Sequence, residues 1–187
     1  MQDVIILSAA RTPVGKFNGA LSSVPATKLG AIAAQAAITR AGLQPPDIEE
    51  VFMGQVIPAG VGQAPARQVA LAAGCPAETE ATTINKVCAS GMKAVIFATQ
   101  SLQLGNREVM LAGGMESMSQ IPLYFPRGHV YGDVTVRDGI LLDGLTDVYD
   151  GIHMGLCAEN TASRDGFSRK DQDDYALESC VPKNLAH

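Results

Sequence analysis

The feature that most constrains the fold is an alternation. Short apolar runs at residues 4–7, 51–57, 82–84 and 109–112 are each closed by a break and separated by longer stretches with helical spacing. Thr27, an N-cap candidate, opens a helix through Leu29, Ile32, Ala33 and Ala36 that stops at Gly42, before Pro45 and Pro46. Pro65 opens a second helix ending near Gly74, and a third runs through Met92, Val95, Ile96 and Leu102 to Gly105-Asn106. The order βαβαβαβ predicts a layered α/β sheet with mainly parallel pairing. The run Val4-Ile5-Ile6-Leu7 is expected as a central strand covered on both faces.

Regular periodicity is lost from Gln120 to Asp150, where six Gly and Pro residues punctuate the chain. This predicts a loop excursion, followed by helices over 154–163 and 168–180, the latter opened by Ser168 and ended by Pro182. The hydrophobic content of 47% is enough for a real core. A net charge of -5 without a clustered basic stripe argues against nucleic acid as the main partner. No stretch reaches the ~18 apolar residues of a membrane span. Cys75, Cys88, Cys157 and Cys180 are widely spaced with few histidines, which argues against a zinc site and for reduced thiols in an intracellular compartment. With strand character beginning at Val4, no room is expected for a leader, and the cytoplasm is the expected compartment with the mitochondrial matrix as the alternative.

The chemistry points to Cys88. It lies where the third apolar run meets the third helix, flanked by Lys86 and Lys93 and followed by Ala89, Ser90 and Gly91. Unpaired N–H groups and the helix dipole favour a thiolate at a helix start, and small neighbours leave room for a substrate carbonyl. A buried structural cysteine is the other reading of these residues. Gly60 and Gly62 lack the third glycine of a dinucleotide loop, which is replaced by Pro65, so that reading is set aside. Gly113-Gly114-Met115-Glu116-Ser117-Met118-Ser119 directly follows the fourth run, where glycines permit close backbone approach or a plain turn.

Three ordered stretches carry a resemblance. Asn85-Lys86-Val87-Cys88-Ala89-Ser90-Gly91-Met92, the Gly113–Ser119 stretch, and His153-Met154-Gly155 with Ala158-Glu159-Asn160 resemble the thiolases, from about Val4 to about Ser179. The stretches Gly144-Leu145-Thr146-Asp147 and His153-Met154-Gly155 look most similar to the loop region of the acetyl-CoA acetyltransferase branch. The resemblance implies a thiolase-like α/β domain over 1–119 and a partial loop domain with two helices over 120–187. It implies that Cys88 takes an acetyl group from acetyl-CoA and that a second acetyl-CoA attacks as a carbanion. The products would be acetoacetyl-CoA and CoA, reversibly, with coenzyme A thioesters as substrates and neither metal nor further cofactor.

Leu145, His153 and Met154 would line the acyl and pantetheine pocket, though from its neighbours His153 also reads as a structural residue. The family's base is a histidine in a Gly-His-Pro segment, joined by a second cysteine before Gly-Gly, both in its C-terminal half. Residues 1–187 contain neither, their histidines being His129, His153 and His187. The first-half sheet is therefore expected to lack its last strand, and the ending from Cys180 to His187 departs from the family. The family also implies a homo-oligomer, dimer or tetramer. Two alternatives are an incomplete thiolase acting only by association with other subunits, and a condensing enzyme of the ketoacyl synthase group. The Gly113–Ser119 stretch favours thiolase over the latter.

Overall fold

A computed structural model of the chain describes residues 3–180. The chain divides into two compact units, Met1–Gly144 and Leu145–His187. In the first, α1 (Ala26–Arg40), β1 (Glu50–Gly54), α2 (Pro65–Ala72), β2 (Glu80–Ile84), α3 (Ser90–Gln103) and β3 (Met110–Gly114) follow one another. The three strands form a parallel sheet in the order β2-β1-β3, with Gly54 opposite both Ile84 and Gly114. All three strands therefore end level with one another, and the turns that follow them share one edge of the sheet.

The pleat sorts the side chains of β1 to two layers. Val51 and Met53 are buried in a cluster with Ala34 and Ile38 of α1 and Val69 and Ala70 of α2. Phe52 points the other way and meets Phe97 of α3 edge to face, with centroids 6.2 Å apart. Val51 and Val69 are fully buried, each worth about 1.5–3 kcal/mol by transfer. The α3 layer is thinner, since Met92, Val95 and Ile96 remain 66%, 44% and 40% exposed. Gly42, Gly74 and Gly105 follow α1, α2 and α3 at positive φ (73°, 95° and 74°), as helix-ending glycines do. Pro65 is the first residue of α2, as expected. Thr27 is not the N-cap of α1: Pro25 holds that place and makes no side-chain cap.

The expected first strand is absent from the sheet. Residues 4–7 belong to no strand, and Ile5, Ile6 and Leu7 are 76%, 80% and 60% exposed. The segment is tied to α1 instead, where the Ser8 hydroxyl donates to Ala37 O (2.6 Å) and Arg40 donates to Ala9 O (3.0 Å). A cavity of about 380 Å³, lined by Ile5 and Leu7 on one side and Leu111 and Ala112 on another, adjoins it. An apolar run becomes a buried strand only when a neighbour takes its backbone N–H and C=O groups, and among the described residues none pairs with this one.

Beyond β3 the chain turns through a short 3-10 helix, Met118–Gln120, then pairs β4 (Leu123–Tyr124) antiparallel with β5 (Arg137–Asp138). Thus the excursion carries a little regular structure and belongs to the first unit as far as Gly144. A π-helical turn, Leu141–Leu145, precedes α4 (Met154–Asp165) and α5 (Arg169–Cys180). Ser168 opens α5 as expected: Asp171 N–H donates to its hydroxyl (3.2 Å), and Ser168 N–H donates to the Asp171 carboxylate (2.9 Å). The Ser168 hydroxyl also donates to that carboxylate (2.6 Å), and this bond first, with the N–H bond behind it, holds the carboxyl of Asp171 below its usual range. Pro182 and the departing ending lie outside the described residues. Among the described residues no helix is long and apolar enough to cross a membrane.

Candidate active site

Strand β2 ends at Ile84, and α3 begins at Ser90 with five residues between them. The turn between them is tight. Val87 sits at φ 47°, a left-handed conformation that costs a β-branched residue about 1–2 kcal/mol. Both of its polar backbone groups are held. Its N–H donates to Asn85 Oδ1 (3.0 Å), and its carbonyl accepts from the Ser90 hydroxyl (2.6 Å) and the Ser90 N–H (3.0 Å). Ser90 is buried, and its Oγ also accepts the Lys86 N–H at 2.8 Å. These bonds carry the strain and hold the next residue, Cys88, out in solvent.

The structure refines one expectation at this point. Cys88 is not in the helix: α3 begins at Ser90, and its N-cap is Ala89, which offers no side-chain cap. The sulfur therefore precedes the helix end instead of sitting on its first turn. The Lys93 Nζ lies over the Phe97 ring, 4.1 Å from the centroid.

Glycines bring the strand ends to this turn. A Cβ on Gly54 would stand 2.5 Å from Gly91 N, and one on Gly114 would stand 3.2 Å from Gly91 Cα. Backbone alone thus separates the ends of β1 and β3 from the start of α3, and the Gly113–Ser119 stretch converges with the Cys88 turn as expected. The stretch is more than a plain turn. Ser117 donates to Val24 O (3.1 Å), and Ser119 Oγ accepts the Asn18 N–H (2.9 Å). Glu116 accepts the Val56 N–H at 2.8 Å, and on the other side of that residue Asn85 Nδ2 donates to Val56 O at 2.8 Å.

Burial pushes the Glu116 carboxyl above its ordinary value, opposed by the N–H groups of Val56 and Ile57 and then by the Gln55 amide. Gln55 is close enough to favour the charged form, yet neither of its buried amide atoms meets hydrogen-bond geometry. The Gly60–Gly62 loop is closed on itself, since Gln68 Nε2 donates to both Val61 O (3.0 Å) and Gln63 O (2.9 Å). Among the described residues no three metal-ligating side chains gather.

The other expected site residues lie in the second unit. Leu145 is its first residue and is half-buried. His153 and Met154 are exposed. An antiparallel bridge between Thr146 and His153 brings the backbone at Leu145 alongside that at Met154. His153 is the N-cap of α4, its Nδ1 accepting the Gly155 N–H at 2.9 Å. Its ring therefore has a structural task, and that geometry leaves Nε2 as the other ring nitrogen.

Comparison with known proteins decides the family. Residues 4–184 match the family described as "Thiolase, N-terminal domain". The chain belongs to the thiolase family. It is 57% identical over 187 residues to acetyl-CoA acetyltransferase A, mitochondrial, of Xenopus laevis, and 56% identical over 187 residues to the mitochondrial acetyl-CoA acetyltransferase of Homo sapiens. In both cases all of this chain matches 44% of the relative. The Acat5 thiolase of Ascaris suum, solved with coenzyme A, superposes with a TM-score of 0.91 at 45% identity, over 95% of this chain and 47% of that one. The thiolase fold is thus present, and the chain spans less than half the length of these relatives.

In this thiolase chain, sequence reasoning singled out Cys88 and missed the residues bonded around its turn. Ser90 and Asn85 were visible only as small or polar members of a motif, and Glu116 only as an acid inside a run of glycine, methionine and serine. An acidic residue so soon after a half-buried strand was the available signal. The exposure pattern gives a direct prediction. Iodoacetamide at neutral pH should label Cys88 first and Cys75 last, because Cys75 is buried and desolvation pushes its thiol up, while Cys157 is half-buried. Peptide mass mapping after brief exposure measures the order, and labelling of Cys75 ahead of Cys88 would contradict it.

Proposed function

We propose that this chain carries the acyl-transfer half of an acetyl-CoA acetyltransferase, with Cys88 as the nucleophile. One observation carries the reading: an exposed thiol on a clamped left-handed turn, directly before the start of a fourteen-residue helix. The names of the relatives support the substrate, and the coenzyme A bound to the Ascaris suum thiolase supports a coenzyme A thioester. The Cys88 thiolate attacks the thioester carbonyl carbon, a new C–S bond forms, and the C–S bond to coenzyme A breaks, so that CoA departs with the electron pair and takes up a proton. Main-chain N–H groups at the start of α3 suit the transient oxyanion.

In the complete reaction a second acetyl-CoA, deprotonated at its methyl, attacks the acetyl-cysteine to give acetoacetyl-CoA and regenerate Cys88; the reverse is thiolysis. Leu145, His153 and Met154 are assigned to the acyl and pantetheine pocket, with no cofactor beyond the thioesters. The relatives' mitochondrial naming favours the matrix over the cytoplasm, and the family favours a homo-oligomer. A second reading, association with other subunits, draws support from the exposed Met92, Val95 and Ile96 on α3. The test is transfer of radiolabel from acetyl-CoA to residues 1–187 and to a Cys88→Ala variant. Label in the first and none in the second is expected; equal labelling of both would overturn the assignment.

A further inference from the structure

We propose that Glu116 is a positioning residue for the Cys88 nucleophile, acting through the backbone at Val56 and the side chain of Asn85. This rests on the assignment of Cys88 above. The chain of contacts is continuous. Glu116 accepts the N–H of Val56 (2.8 Å); the Val56 carbonyl accepts from Asn85 Nδ2 (2.8 Å); and Asn85 Oδ1 accepts from Val87 N–H (3.0 Å). Val56 is thus bound on both sides, its N–H by a carboxylate and its C=O by an amide donor.

The far end of this chain is the left-handed Val87, a conformation that persists only when its surroundings impose it. Glu116 stands just after β3, Val56 just after β1 and Asn85 just after β2, so the contacts cross-link the ends of all three strands. Ser90 clamps Val87 from the helix side through its carbonyl, and Asn85 is the partner of its N–H. If that N–H is released, the turn loses one of its two anchors. Cys88 is the residue whose direction then changes. Glu116 itself touches backbone and the neighbourhood of Gln55, not the sulfur, which separates positioning from catalysis.

The experiment compares Glu116→Ala with Glu116→Gln in residues 1–187. The glutamine retains an oxygen to accept from Val56, and its amide faces the unpartnered Gln55. In Glu116→Ala the rate of iodoacetamide labelling at Cys88 should change about 10-fold, with an altered rate-pH profile, while Cys157 labels as before; this follows from loss of a charge-assisted hydrogen bond. Glu116→Gln should restore most of the rate. In the acetyl-transfer assay the maximal rate should fall without a change in the acetyl-CoA concentration for half-saturation.

Asn85→Ala should reproduce the effect, and combining it with Glu116→Ala should add little, since both break one chain. The Asn85 variant also serves if Glu116→Ala does not fold. Unchanged Cys88 labelling in a folded variant, failed rescue by glutamine, or fully additive losses would overturn the proposal. Altered labelling in chains that never accept acetyl groups would leave the positioning role standing and remove the acyltransferase assignment.

Discussion

Residues 1–187 should form acetoacetyl-CoA at a rate at least ~10²-fold, and up to ~10⁴-fold, below that of a complete thiolase, even with Cys88 acetylated. The two halves of the reaction need different groups. Acylation needs a thiolate and an oxyanion site, the roles proposed for Cys88 and the start of α3. Condensation also needs a base strong enough to take a proton from the weakly acidic methyl of a thioester. The family's Gly-His-Pro and Cys-Gly-Gly segments do not occur in residues 1–187, and His153 is already engaged as the N-cap of α4 through Nδ1. The exposed position of Cys88 also leaves water free to reach an acetyl thioester, so hydrolysis competes with condensation. The measurement pairs acetyl label on Cys88 with acetoacetyl-CoA formation, alone and after mixing with a separately expressed C-terminal half of a relative. Turnover by residues 1–187 alone, close to that of a complete enzyme, would show that a base among these residues has gone unrecognised.

The second large effect is expected from a single methyl group. Gly54→Ala places a Cβ against the Ser90 carbonyl carbon and 2.5 Å from Gly91 N. Both are backbone atoms at the start of a packed helix and cannot swing aside. Overpacking of this kind costs about 1–3 kcal/mol or more, which for a chain of this size lowers the melting temperature by roughly 2–12 °C. The strain falls on the residues that clamp Val87, so acetyl transfer to Cys88 should be lost as well. Gly113→Ala is the control, because its Cβ would meet only the flexible Met53 Sδ at 3.4 Å. Thermal unfolding and label transfer for the two variants read the difference. Gly54→Ala melting and labelling like Gly113→Ala would show that the start of α3 can move away from β1.

Local chemistry was legible wherever a residue's effect depends on its near neighbours in the chain. Pro65 at the first position of α2, the glycines after α1, α2 and α3, and the Ser168–Asp171 box at α5 all act within one turn of helix, and each stands where its residue type predicts. Thr27 failed the same test because Pro25, two residues earlier, already holds the N-cap place of α1. The apolar run at 4–7 failed for a different reason. Its hydrophobicity was clear, but a strand is made by its partner, and nothing within the run specifies one.

The same division holds at the site. Sequence alone determined that a βα alternation would form a parallel sheet and that Cys88 would stand between β2 and α3, because period, turn chemistry and adjacency are properties of the chain itself. Only the tertiary structure decided how the sulfur is held. The left-handed Val87, its clamps to Asn85 and Ser90, and the link from Asn85 through Val56 to Glu116 join residues as much as 60 positions apart. These contacts arise because three parallel strands end level and three glycines let backbone meet backbone. Distances of that kind are set by packing, and no local run of residues encodes them.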